Sequence, residues 1–258
     1  MLMLAVSACG QAQTSSSKQK DGEGKSKSTI RVVTTAGGYP FGVVNPKNNE
    51  YEGFMYEIIN ELGKRVDMNV EMKTADWSAL IPSLQSGKAD VIVDGMYITD
   101  ERKKVINFTE PVFGYGEGLI VQEGDKSIKS LEDLDGKTVG VQIGTSFKEM
   151  VEEKTKGIKV EIKTYQTQAD ILKDIENKRL DAALADGPSF TYIKSKNPNM
   201  KFQVINEYKP SLFGKIGIGV ALDNKELVEK LNPAIEEMKQ DGSLKAIYKK
   251  WGVDWDFN

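Results

Sequence analysis

Two Asp-Gly pairs hold the chain's candidate chemistry, Asp94-Gly95 and Asp186-Gly187, and each directly follows a short apolar run. An aspartate in such a turn either meets a ligand or caps the turn itself. The surrounding inventory is restrictive. The chain has no histidine and one cysteine, Cys9, so an intrachain disulfide, a His-dependent proton shuttle and a Cys/His metal site are all excluded. Carboxylates, lysines and tyrosines remain for acid–base work, but no paired-carboxylate motif or nucleophile–base pair is visible. Neither a catalytic residue nor a metal or cofactor is expected. With 35 Lys and Arg against 38 Asp and Glu, the net charge is −3. No long basic run lies outside the N-terminal tail, which disfavours nucleic acid as a partner.

The elements that would position these turns read as two similar halves. Ile30-Arg31-Val32-Val33 is a first strand. Phe54, Ile58, Ile59, Leu62 and Val66 then fall along one helical face. Val70-Glu71-Met72 is a short strand, and Trp77, Leu80, Ile81 and Leu84 mark a second helix. Pro82 is tolerated only in that helix's first turn, so its regular part starts near Ala79 and Gly87 ends it. Val91-Ile92-Val93 is the continuous apolar run of a buried parallel strand.

The same β-α-β-α-β order recurs: strand Thr138 to Val141, helix Phe147 to Glu153, strand Val160 to Ile162, a helix capped by Thr167 and running to about Asn177, and strand Ala182 to Leu184. Residues 84–90, LQSGKAD, parallel residues 175–181, IENKRLD. Alternating strands and helices predict parallel sheets with ligand sites at the strands' carboxyl ends. Two such lobes facing each other bring both Asp-Gly turns to a shared cleft, a favoured place for a small-molecule site. Two amphipathic helices close the chain. One carries Leu227, Val228, Leu231, Ile235 and Met238; Gly242 breaks it and Ser243 caps the next, lined by Leu244, Ile247, Tyr248 and Trp251.

At the other end, apolar residues 1–8 finish in small side chains directly before Cys9. They resemble the remnant of a bacterial lipoprotein signal, in which the cysteine is lipidated; the alternative is an exposed thiol after an apolar start. Residues 10–28 carry no large apolar side chain. With Cys9 they read as a flexible tether over 9–28, and the folded part begins near Thr29. No later stretch approaches the roughly 20 apolar residues that span a bilayer.

Longer blocks carry a resemblance. Trp77 to Asp90 (WSALIPSLQSGKAD), Met96 to Arg102 (MYITDER), Phe108-Thr109-Glu110-Pro111 and Glu236 to Leu244 (EEMKQDGSL) occur in this order. From Thr29 to Trp251 the chain resembles the bacterial extracellular solute-binding proteins of family 3, the polar amino-acid-binding type. The resemblance implies an α/β fold, a two-lobed type II periplasmic-binding-protein clamp with two crossover hinge strands. Lobe one is expected over 29–117 plus 216–258 and lobe two over 118–215. Gly114, Gly116, Gly118, Gly214 and Gly217 flank the two crossings and suit segments that absorb rotation, or are ordinary loop glycines. The implied function is the extracytoplasmic, membrane-anchored binding component of an ABC importer, closing around an amino-acid-like zwitterion. Its expected partners are that ligand and a membrane permease, with the chain itself a monomer. An extracytoplasmic dehydratase-like enzyme, using Glu117, Lys215 or Asp94, and a ligand-sensing module are the alternatives on the same fold.

By similarity, Arg102 grips the ligand carboxylate, which suits a planar guanidinium fork; otherwise it is a surface arginine beside Lys103 and Lys104. Asp186 takes the ammonium, or caps a turn before Gly187-Pro188. Thr145 and Ser146, with Gly144, open a helix whose free N–H groups can receive the carboxylate from the other lobe. Gly95 and Tyr97 correspond to backbone and hydroxyl contacts. Tyr39, Phe41 and Trp77 are aromatic walls or core residues. The chain departs from the family at Met55, where an acid is common, at Thr35-Ala36-Gly37-Gly38, which lacks an acid, and at Asp94, where a small polar residue is commoner. If Asp94 faces the cleft, it favours a cationic or zwitterionic ligand: a basic amino acid, an opine or an ectoine-like solute.

Overall fold

A computed structural model of the chain describes residues 27–253. The signal remnant, Cys9 and the tether up to residue 26 lie outside those residues. The last two tether positions are engaged: Lys27 pairs with Asp67 at 2.5 Å, and the Ser28 carbonyl accepts from the Asn69 N–H.

The first half runs β1 (Thr29–Thr34), a small sheet of β2 (Gly37–Gly38), β3 (Gly42–Val44) and β4 (Tyr51–Glu52), then α1 (Phe54–Arg65), β5 (Asn69–Thr74), a 3-10 turn at Trp77–Ala79, α2 (Leu80–Gln85) and β6 (Val91–Ile92). Helix α1 forms because its apolar spacing buries Phe54, Met55, Ile58, Ile59 and Leu62 on one face. Each such side chain contributes roughly 1.5–3 kcal/mol on burial. Its start needs Gly53, at φ 129°, because a Cβ there would lie 2.3 Å from the Phe41 carbonyl oxygen. Next come α3 (Asp100–Lys103), β7 (Asn107–Phe108) and the long β8 (Phe113–Gln122).

The second half repeats the first, with β9 (Thr138–Gln142), α4 (Phe147–Lys154), β10 (Glu161–Tyr165), α5 (Gln168–Glu176) and β11 (Ala182–Asp186). It is followed by α6 (Gly187–Lys196), β12 (Phe202–Val204), β13 (Phe213–Ile216), β14 (Gly219–Val220), α7 (Lys225–Gln240) and α8 (Ser243–Trp251). Thr167 caps α5 as predicted, its hydroxyl accepting from the Asp170 N–H. Ser243 does not cap α8. Gly242, in the left-handed region, holds the N-cap position, and the Ser243 hydroxyl accepts from Arg65 instead.

The repeat shows in the sheets. One has the order β5-β1-β6-β14-β7 and the other β10-β9-β11-β8-β12. Leaving the small β2–β4 sheet aside, a first strand in each half pairs in parallel with the second and third: β1 with β5 and β6, β9 with β10 and β11. In each, the third strand then meets an antiparallel neighbour, β14 beside β6 and β8 beside β11. Both Asp-Gly turns consequently sit at carboxyl ends of parallel strands.

The two sheets are joined by one uninterrupted ten-residue strand. Residues Phe113 to Gly116 of β8 pair antiparallel with β13, whereas Glu117 to Val121 pair with β11. Close approach sets the composition at these crossings. A Cβ on Gly116 would lie 2.4 Å from Pro210, and one on Gly214 would lie 2.3 Å from the Tyr97 ring. Neither glycine has positive φ, so both are there for contact, not for conformational freedom. Glu117, 1% exposed, accepts from Tyr208 Oη and from the Ser211 and Leu212 N–H groups. It fastens the loop that leads into the return crossing.

Candidate functional site

The strand ends converge on a cleft with two connected parts. The tight part is lined by Trp77, Gly95, Tyr97, Arg102, Tyr115, Thr145, Ser146, Phe147 and Asp186, and holds a cavity of about 10 Å³. Beside it lies a chamber of about 610 Å³, with Thr35, Gly38, Phe41, Trp77, Asp94, Gln142, Gln168 and Asp186 in its wall. Trp77 and Asp186 border both parts.

Arg102 projects from α3, whose N-cap Thr99 accepts from the Arg102 N–H at 3.2 Å. Its Nη1 donates to the Tyr97 carbonyl at 2.8 Å, and Nη2 reaches the other lobe to donate to the Gly144 carbonyl at 3.0 Å. The guanidinium lies 5.8 Å from the Trp77 ring centroid. Burial lowers its pKa, while Tyr115, Glu149 and Asp186 act the other way.

Asp186 occupies the N-cap position of α6, yet its carboxylate caps nothing. One oxygen accepts from Tyr115 Oη and the other from Gln168 Nε2 at 2.5 Å. Burial pushes its pKa up to about 6, and the Asp94 charge adds to this against the two donors and Arg102. Arg102 and Asp186 thus face one small space from opposite lobes, with opposite charges.

On the lobe-two side, Gly144, at φ 75°, turns the chain into α4 behind N-cap Ser146. The Ser146 side chain makes no capping bond, and the Thr145 hydroxyl donates to the Gln142 carbonyl at 2.7 Å. The first-turn N–H groups of a helix lack intrahelical acceptors, so this corner offers donors to an anion.

Asp94 faces the chamber and is held firmly. One oxygen accepts from Thr34 Oγ1, Thr35 Oγ1 and the Thr35 N–H at 2.8–3.1 Å; the other accepts from the Gly95 N–H at 2.7 Å. Tyr115 Oη also lies 3.0 Å from the Gly95 carbonyl, and its single proton goes to that oxygen or to Asp186, not to both. Asp94, just after β6, thus lies against Thr35 of the early loop.

Two expected contacts are placed differently. Tyr97 is 4% exposed, its hydroxyl donates to the Tyr115 carbonyl, and its ring packs on Tyr115, Phe147 and Gly214. Its hydroxyl is thus engaged within the protein, its carbonyl accepts from Arg102, and Tyr97 still lines the tight part. Tyr39 is absent from the chamber wall. Its ring instead stacks on Tyr192 of α6 across the lobes, with centroids 4.9 Å apart, and its hydroxyl donates to Glu52. Phe41 does line the chamber, and Met55 is a fully buried core residue that cannot select a ligand. Sequence reasoning missed Tyr115, Gln142 and Gln168. Only Tyr115 carried a local signal, as a lone ring in the run Gly114-Tyr115-Gly116-Glu117-Gly118.

The Tyr39–Tyr192 stack bridges the lobes without lining the chamber, so it should favour closure whatever the ligand. Tyr192→Ala is expected to weaken every ligand by about 3- to 10-fold through faster dissociation, the scale of one aromatic pair. Tyr192→Phe, which keeps the ring, should restore affinity. Stopped-flow dissociation rates check this, and a loss confined to one ligand would contradict it.

Among the described residues no helix is long and apolar enough to cross a membrane, and no group of three or more His, Cys, Asp and Glu side chains could hold a metal ion. Glu117 is committed to the hinge loop, and Lys215 is exposed beside a groove lined by Phe213 and Lys225. The acid–base groups proposed for an enzyme do not meet in the cleft.

Residues 30–254 match the profile of the bacterial extracellular solute-binding proteins, family 3. The arginine-binding extracellular protein ArtP of Bacillus subtilis is 32% identical over 252 residues, covering 97% of this chain and 93% of that protein. The L-cystine-binding protein TcyJ of Escherichia coli K12 is 32% identical over 228 residues, covering 86% and 83%. Among solved structures, an ancestral arginine-binding protein bound to arginine superposes with a TM-score of 0.81 at 38% identity, covering 87% of this chain and 98% of that one.

Proposed function

The chain belongs to the bacterial extracellular solute-binding proteins of family 3, and on that footing we propose that it is the substrate-binding component of an ABC importer, closing its two lobes around an α-amino acid or a closely similar zwitterion. The observation that carries this reading is the tight subsite flanked by Arg102 from one lobe and Asp186 from the other. A free amino acid presents a carboxylate and an ammonium on one carbon, and these two side chains match them in sign. Arg102 and the N–H groups of Gly144 and Ser146 take the carboxylate. Asp186 and the Gly95 carbonyl take the ammonium. The side chain enters the larger chamber past Trp77 and Phe41.

Relatives named for arginine and for L-cystine support an amino acid as the ligand class. The ligand is bound and handed on without chemical change. Residues 29–117 with 216–258 act as one lobe and 118–215 as the other, rotating about the paired β8 and β13. Only contacts stronger in the closed state than in the open one can drive that rotation, and a head group bridging Arg102 to Asp186 supplies them. The protein works outside the cytoplasm as a monomer, anchored through a lipid on Cys9, and presents its closed form to the permease.

Protein refolded from denaturant to strip ligand should be scanned by thermal unfolding against the twenty amino acids. A ligand at 100 times its dissociation constant adds about 2.7 kcal/mol, a rise on the order of 5–10 °C for a protein of this size. A clear rise with at least one amino acid, recovered unchanged afterwards, supports the reading. A flat scan, or conversion of the compound, overturns it.

A further inference from the structure

We infer that the ligand carries a second positive charge at the end of its side chain, and that Asp94 and Gln168 are the residues that select it. This rests on the amino-acid reading above and names the class of amino acid. Among the described residues, the chamber wall contains three carboxylates, Asp76, Asp94 and Asp186, and no lysine or arginine. Arg102 is the one cation among those lining either part, and it belongs to the tight subsite. A zwitterionic head group satisfies Arg102 and Asp186 and brings no net charge. Asp94, 5% exposed, then has four hydrogen-bond donors but no cationic side chain opposite it. A cationic ligand end entering the chamber would supply the opposite charge that the wall lacks.

Hydrogen bonding points the same way. Gln168 donates Nε2 to Asp186, and this fixes the orientation of its amide; its buried Oε1 then has no partner. The Asp94 oxygen that accepts only from the Gly95 N–H keeps room for another donor. Both acceptors call for N–H groups, which a guanidinium or ammonium supplies and a carboxylate or thioether does not. The aromatic walls Phe41 and Trp77 favour a cation over an anion as well. Asp94 is preset for the task, because Thr34 and Thr35 hold its other oxygen through three donors.

The experiment is calorimetric titration of refolded protein with L-arginine and L-lysine, and with L-citrulline, L-glutamine and L-glutamate. Citrulline is nearly the shape of arginine without the charge. Arginine or lysine should bind at least about 30-fold more tightly than citrulline, the low end for one buried charge pair, and Asp94→Asn should collapse that ratio toward unity. Equal or tighter binding of citrulline, glutamine or glutamate by the unmodified protein overturns the inference while leaving the amino-acid reading intact. Failure of all five, together with a flat amino-acid scan, overturns both. The comparison within the unmodified protein stands even if Asp94→Asn fails to fold.

Discussion

Arg102→Ala weakens amino-acid binding by roughly 100-fold or more, the loss expected for two charge-assisted hydrogen bonds in a site sheltered from water. The side chain already spans the cleft to the Gly144 carbonyl, so a carboxylate arriving there meets a guanidinium placed before it binds. Its bond to the Tyr97 carbonyl fixes the orientation of the fork. Arg102→Lys should recover only part of the affinity, because a single ammonium cannot make the paired geometry. Calorimetry against the best ligand measures both. Near-normal affinity in Arg102→Ala would mean that the N–H groups around Gly144 and Ser146 hold the carboxylate unaided.

Acidification weakens binding through Asp186. The free protein holds its carboxyl at about 6, raised mainly by burial, and an ammonium needs the ionised form. Above that value binding costs no deprotonation; below it, each pH unit costs about tenfold, so affinity at pH 5 should be about tenfold lower than at pH 7. For folding of the free protein the sign is opposite. Between the ordinary aspartate value of 3.8 and about 6, the folded state keeps a proton that the unfolded chain has released. That contribution favours folding at low pH and is lost as pH rises through about 6. Asp186→Asn should bind about 30-fold or more weakly at pH 7 and show no step near pH 6. Binding titrations between pH 5 and 8 decide the matter; a step that persisted in Asp186→Asn would assign the titration to another group.

Much of the scaffold was legible because its periodicities are strong. The α1 and α5 faces, strands β1, β5, β6, β9, β10 and β11, and the cap at Thr167 all fall where the sequence placed them, while the small β2–β4 sheet was not foreseen. Long-range pairings were not legible. The two-residue strands β7 and β14 have no periodicity of their own and exist because each is held by a partner distant in sequence. Helix α6 was hidden behind a Gly-Pro that reads as a turn but is also a sound helix start. The site divided along the same line. Arg102, Asp186 and Trp77 come together as the family motifs imply. The fates of Tyr97 and Tyr39 depended on partners more than 10 residues away, Tyr115 and Tyr192, which no local pattern reports. Asp94 could be named but not oriented, since its direction is set by hydroxyls some 60 residues earlier.

The position of β14 between β6 and β7 decides the order in which the molecule can be made. The second sheet, apart from the crossing at β13, is complete once residues 117–204 exist. The first cannot close until Gly219 and Val220 arrive to separate and bridge β6 and β7. That closure joins positions 219 and 92, so it carries the entropy cost of a long loop and comes late. A chain emerging from its N-terminus therefore cannot complete its first lobe while much of its C-terminal part is still being synthesised.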